Sequence, residues 1–161
     1  MKHISRIKIV LVALLMTTLF NCYAQSADVE KTFRQIIEKY DGNEDITCLT
    51  ATKGNGLEFM KMMFNKEFGK DFMKGVTSIS FIEYSDAAEE ISTALRKDLD
   101  AFKALLSEID LSGAKQFSDN KFLRCFATTS DDASISDFVV AMEDDESKML
   151  LYMAGTIKVT F

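Results

Sequence analysis

The chain contains no proline, no tryptophan, a single histidine and three cysteines among its 161 residues. The histidine is His3, inside a leading segment that reads as an export signal, so the remainder lacks the commonest general base. With no histidine and isolated cysteines it also offers no set of zinc ligands. The cysteines are too sparse to build a disulfide scaffold. Positive charge is in deficit too, with 19 Lys and Arg against 25 Asp and Glu. Self-repulsion and phosphate repulsion then act in the same direction, which excludes nucleic acid as a partner and argues against anionic lipid surfaces.

What is present begins with a targeting pattern. Lys2, His3, Arg6 and Lys8 form a basic region, and Ile9 to Phe20 form an apolar run interrupted by Thr17 and Thr18. That run is too short for an ordinary membrane-spanning helix and ends in a short polar exit, "NCYAQS". Ala24 and Cys22 are the small residues that a soluble-export cleavage wants, which leaves Gln25 as the new N-terminus and a periplasmic or secreted product. The alternative is lipidation at Cys22, giving an outer-envelope lipoprotein. Asn21 is a poor fit before a lipidated cysteine, and only this route brings the chain to a membrane. Removing residues 1–24 takes away three of the 19 basic residues (Lys2, Arg6, Lys8), so 16 face 25 acidic ones, a balance of −9. The remaining 137 residues suffice for one sizeable core, and no Pro/Gly/Ser linker, charge block or internal repeat divides them, so 25–161 reads as one domain.

Along that domain the hydrophobic period changes. Val29, Phe33, Ile36, Ile37 and Tyr40 share one face of a helix over 28–40 that Gly42 stops. "ITCLTAT", 46–52, is a short β-branched strand. Residues 56–75 are helical in period but broken near Gly69, and "VTSISFIEY", 76–84, alternates as a strand. A long helix follows, with Asp86 and Glu89 at capping-box spacing and apolar positions from Ile91 through Leu106 and Ile109 to Leu111. The last third, "KFLRCFATTS", "SISDFVVAMED" and "KMLLYMAGTIKVTF", alternates as three strands joined by short polar hairpin turns. The order α-β-α-β-α-β-β-β predicts an α+β two-layer sandwich, a mostly antiparallel five-stranded sheet with three helices on one face. The 46–52 and 76–84 strands fit a right-handed parallel crossover.

Three runs, "DITCLTATKGNGLEFMKMM", "VTSISFIEYSDAAEEISTALRKDL" and "FLRCFATTSDDASISDFVVAMEDDESKMLLYMAGTIKV", together resemble a family of small exported bacterial proteins. Its domain is numbered 4252 in the domain-of-unknown-function series and is common in Bacteroidetes-type bacteria. The resemblance covers nearly all of the chain after the signal. It implies an α+β domain in the cell envelope or outside the cell. Some relatives are encoded beside sigma-factor genes, which implies envelope signalling. It carries over no catalytic or ligand-binding residue.

Motif by motif, the residues commit to little chemistry. Asp41, Asn43 and Asp45 hold the first spacings of a calcium loop, but Ile46 stands where the turn glycine belongs and Thr52 where the bidentate Glu belongs. The acidic turns at Asp131–Asp132 and Glu143–Glu146 lie about 20 Å apart or more at strand rise and read as solvated hairpin tips. "GNG", 54–56, reads as a loop without the basic residue of a phosphate cradle. No Ser-x-x-Lys or Gly-Ser elbow accompanies them, and no cofactor is implied. Cys48 and Cys125 read as two buried free thiols; a disulfide between them is the alternative, worth about 4 kcal/mol in the chain-entropy model.

The most informative stretch is "LEFMKMMFNKEFGKDFMKG", 57–75. Wound at about 100° per residue, it puts Leu57, Met60, Phe64, Phe68 and Phe72 on a core stripe. Phe59, Met62, Met63 and Met73 then fall on a second arc, flanked by Lys61, Lys66, Lys70 and Lys74. One sheet cannot bury both arcs, so the chain breaks near Gly69 and packs its halves differently, buries the second arc under the first helix, or leaves it exposed. In the last case the second arc is the candidate interaction surface. The functional expectation is a non-enzymatic exported domain binding a partner protein or an apolar ligand. A hydrolase with a carboxylate-based site is the alternative.

Overall fold

The computed structural model describes residues 28–114, 123–130, 134–144 and 146–160; the expected export segment, with Cys22, Ala24 and Gln25, and the Asp131–Asp132 turn lie outside them. The described residues form an α+β fold of three helices and a six-stranded antiparallel sheet. Helix α1 spans 28–40 and buries Val29, Phe33, Ile36, Ile37 and Tyr40, the stripe its period predicts. Gly42, at φ 88, takes the left-handed conformation that ends it. Then follow β1 (Thr47–Ala51), α2 (Gly54–Phe68), β2 (Gly75–Glu83), α3 (Glu89–Lys103), β3 (Ser107–Ile109), β4 (Leu123–Ala127), β5 (Thr129–Ser130), β6 (Ser134–Glu143) and β7 (Lys148–Lys158). β4 and β5 pair with β6 in one unbroken register and are successive parts of one strand. The sheet order is β1-β2-β7-β6-β4-β3.

Several expectations are corrected. β1 and β2 are antiparallel neighbours, Thr47 opposite Glu83 and Ala51 opposite Ile79, not a parallel crossover. α2 leads out from β1 and the chain returns through the 69–74 turn, so the two strands run in opposite directions. The sheet has a sixth strand because α3 stops at Lys103 and does not run on to Leu111. Leu105 N–H and Leu106 N–H bond to Phe102 O and Lys103 O, each at 3.0 Å, which tightens the last turn. Glu108 then takes two 2.9 Å bonds from the Arg124 guanidinium and is held against β4. The Asp86–Glu89 capping box does not form: the N-cap is Ala88, without a side-chain cap bond. The "GNG" segment is the first turn of α2, not a loop.

The helices also divide between the two faces. Along β7, Leu150, Tyr152 and Ala154 join Phe33 of α1 and Leu95, Leu99 and Phe102 of α3 in one core. Leu151, Met153 and Ile157 belong to a second core with Leu57, Phe64 and Phe68 of α2 and Phe72 and Met73. Alternate residues of a strand point to opposite faces. α1 and α3 therefore cover one face and α2 packs on the other, so the expected placement of all three helices on one face is corrected. The reason lies in the strands: β2, β6 and β7 carry apolar side chains in both phases and need cover on both sides. In the first core, Phe33, Phe102 and Tyr152 meet with ring centroids 4.9, 5.4 and 5.8 Å apart.

Candidate functional site

α2 forms readily because residues 54–75 contain no β-branched side chain and are rich in the helix formers Met and Lys. Leu57 is buried, and Met60, Phe64 and Phe68 are partly buried against the second core. Phe64 stacks on Phe68 at 5.9 Å, and Phe68 meets Phe72 at 5.0 Å. The helix breaks at Gly69, as its period predicts. There φ is 111 and ψ 151, a backbone region open essentially to glycine alone.

Beyond Gly69 the chain folds back beside α2. Asn65 Oδ1 accepts a 2.8 Å bond from Met73 N–H, clamping the turn to the helix. Lys158 N–H donates to Phe72 O at 3.1 Å and ties the turn to the end of β7. These two bonds drive Phe72 and Met73 inward, and Met73 is fully buried. Its expected place on the exposed arc is thus corrected, because helical angles no longer apply past Gly69. Phe59, Met62 and Met63 do project outward, at 57, 60 and 56% exposure.

The lysines converge on the same place. Lys61 and Lys66 of α2 and Lys70 and Lys74 of the turn line an open hollow of about 680 Å³. Met62 and Asn65 share it, with Glu58 and Asp71 as its acidic members. Lys61 is mostly covered and lies 3.9 Å from Glu58, whereas Lys66, Lys70 and Lys74 make no ion pair among the described residues. The fold thereby joins four cations from two segments beside three exposed apolar side chains, an arrangement suited to recognition.

The other expected groups stand apart from it. Cys48 on β1 and Cys125 on β4 are separated by β2, β7 and β6 and pack into different cores, so the disulfide alternative fails on geometry. Cys125 is buried as expected, but Cys48, on the edge strand, is only half-buried. Burial raises both thiols, Cys125 to about 12 with Glu108 adding to it, which suppresses the nucleophilic thiolate. Asn43 accepts a 3.0 Å bond from Asp45 N–H, closing the 41–46 loop as an Asx turn. Glu143 pairs with Arg96 at 2.6 Å, and Asp144 Oδ1 caps the hairpin by accepting from Glu146 N–H and Ser147 N–H.

Two features escape the sequence reading. Leu49, Phe81, Leu151, Val140, Cys125 and Ile109 stand in register across all six strands on the α2 side. Leu49, at the edge, stays 46% exposed. The second feature is Asp137, a buried carboxylate at φ 52. It accepts from Tyr152 Oη at 3.0 Å and Thr128 Oγ1 at 2.9 Å. Burial first, then Asp137, and last Glu30 push the Tyr152 hydroxyl far above the usual phenol range, so it remains a donor. An acidic residue in the inward phase of "SISDFVV" is the one signal in the sequence that marks it. Compared with known proteins, the chain matches no family model, no curated protein and no solved structure.

Proposed function

We propose that this protein is a non-enzymatic binding domain, exported to the periplasm or beyond, that engages a partner through the outward face of α2. One observation carries the reading: Phe59, Met62 and Met63, at i, i+3 and i+4 of one helix, are each more than half exposed. Keeping adjacent large apolar side chains in water forgoes about 25 cal/mol for each Å² left uncovered. Such patches mark sites of association. Unbranched methionine adapts its shape to what it meets, and the neighbouring lysines keep the patch soluble. Export rests on the leading basic-apolar-polar pattern, and a role in envelope signalling on the resemblance to the 4252 family.

The test is capture of a partner from envelope extract by the tagged protein. Replacing Phe59, Met62 and Met63 together by Ser should abolish capture while the melting temperature stays nearly constant, since none of the three supports the core. Capture that survives the triple change refutes the reading. Intact mass of the exported protein checks the compartment: cleavage after Ala24 is expected, and a diacylated Cys22 would overturn it.

A further inference from the structure

We infer that the partner presents an acidic amphipathic helix, which lies beside α2 with its apolar stripe on Met62 and Phe59 and its carboxylates in the lysine hollow. This rests on the proposed reading of α2 as a binding face and adds the chemistry of the occupant.

Charge complementarity carries it. In a chain with 25 acidic and 19 basic residues, the hollow gathers four lysines against two carboxylates, Glu58 and Asp71. Lys66, Lys70 and Lys74 are exposed and have no ion-pair partner among the described residues, so their charge is available to a ligand. Two of the four come from α2 and two from the turn, which brings cations of both segments to one open hollow. Lysine binds as a point charge on a flexible stem, which tolerates carboxylates at varied positions along a helix.

Shape separates this occupant from others. A flat lipid surface matches the outermost arc alone, Phe59, Met62, Met63 and Lys66. A small apolar ligand would find Met62 and Met73 lining the hollow but would leave its four lysines and two carboxylates unmatched. A rod about 10 Å across, laid beside α2 over the hollow, meets Met62 and the amines of both segments together. Apolar anchors at i, i+3 and i+4 with opposite charges alongside are the usual grammar of helix recognition.

The experiment titrates two synthetic helices of about 18 residues into the purified protein, read by fluorescence anisotropy. Both carry one leucine stripe; one is flanked by glutamate and the other by lysine. Phosphatidylglycerol vesicles are titrated in parallel. The glutamate helix should bind and the lysine helix should not. Lys66→Glu with Lys70→Glu should weaken binding by about tenfold or more, and raising salt from about 50 to 500 mM should weaken it further. Both lysines are exposed, and unchanged circular dichroism confirms that the variant folds. Equal binding of the two helices, binding of neither, binding of vesicles alone, or indifference to the charge reversal overturns the inference. The native partner separates the two claims. Capture lost in the triple serine variant but kept after charge reversal leaves the α2 face standing and removes the acidic helix. Capture kept in both removes both.

Discussion

At φ 52 and 1% exposure, Asp137 holds a conformation that costs most side chains about 1–2 kcal/mol, in a site with two hydroxyl donors and, among the described residues, no ion-pair partner. The bonds from Tyr152 and Thr128 compensate the burial. Asp137→Ala removes both acceptors yet keeps a Cβ at positive φ, so it should destabilise by about 3 kcal/mol or more in a urea titration. Asp137→Gly loses the same bonds without the steric strain and should cost about 1 kcal/mol less than Ala. If Gly proves as damaging as Ala, the strained backbone is not part of the cost. A second residue sets acid behaviour. Asp98 accepts from Lys39 Nζ at 2.6 Å and Tyr40 Oη at 2.8 Å, and these bonds, Lys39 first, lower its carboxyl below the ordinary 3.8. A depressed folded-state value means stability that is fully present above 3.8 and lost as pH falls through the lower folded value. Asp98→Asn should flatten that part of the acid limb in a pH series of melts. On the alkaline side Tyr84 is raised from 10.0 to about 12, mainly by burial. Its contribution is whole below 10.0 and is lost as pH rises through about 12, and Tyr84→Phe should flatten that limb.

Among the elements, α2 and its return turn show how one glycine and one amide place the proposed binding face. Gly69 sits at φ 111 with open space where a Cβ would go, so Gly69→Ala meets no clash and pays only backbone strain. A loss of about 1–3 kcal/mol is expected. Gly155 presents the opposite case: at φ 92, a Cβ would lie 2.3 Å from Gly75 O across the β2–β7 ladder, so Gly155→Ala should cost clearly more than Gly69→Ala. Comparable melting temperatures for the two variants would contradict this. Asn65→Ala frees the Met73 N–H and should cost about 1 kcal/mol, with faster hydrogen exchange at that amide. Because Lys70 and Lys74 ride on the same turn, that change should also weaken binding of the acidic helix without touching a lysine.

Taken whole, the molecule is a sheet buried on both sides, and this decides what its cysteines can do. Reaching from β1 to β4 crosses four interstrand steps, about 19 Å at ordinary spacing. A disulfide spans Cα atoms within about 7 Å. Labelling of oxidised, denatured protein should therefore find both Cys48 and Cys125 as free thiols, and a single labelled thiol or none would refute the topology. Charge acts at this scale as well. A net charge of −6 over the full chain opposes non-specific association, so the lysine hollow stands out as a local exception, the place to which the proposed acidic partner would be steered.

Periodicity made some of this legible before any fold was known. The stripe of α1, the break at Gly69, the hairpin order of the last strands and the outward Phe59, Met62 and Met63 all follow from local spacing, because helix and strand phases are set by residues within a few positions of one another. β3 was not legible, since Leu106, Ile109 and Leu111 suit a continuing helix equally well. The strand is selected by the ladder of Ser107–Ile109 with Cys125–Ala127 across the sheet, to which the Glu108–Arg124 pair adds. Nor does spacing choose the face on which α2 packs, because strands apolar in both phases accept a helix on either side. Met73 was turned inward by bonds to Asn65 and, through Phe72, to Lys158 far along the chain, and those same bonds brought Lys70 and Lys74 beside Lys61 and Lys66. Local spacing thus fixed every described element but β3 and the end of α3, along with the composition of the outer arc of α2. That the arc has a charged hollow beside it was settled by packing, because a hollow requires two segments, and their separation does not follow from period.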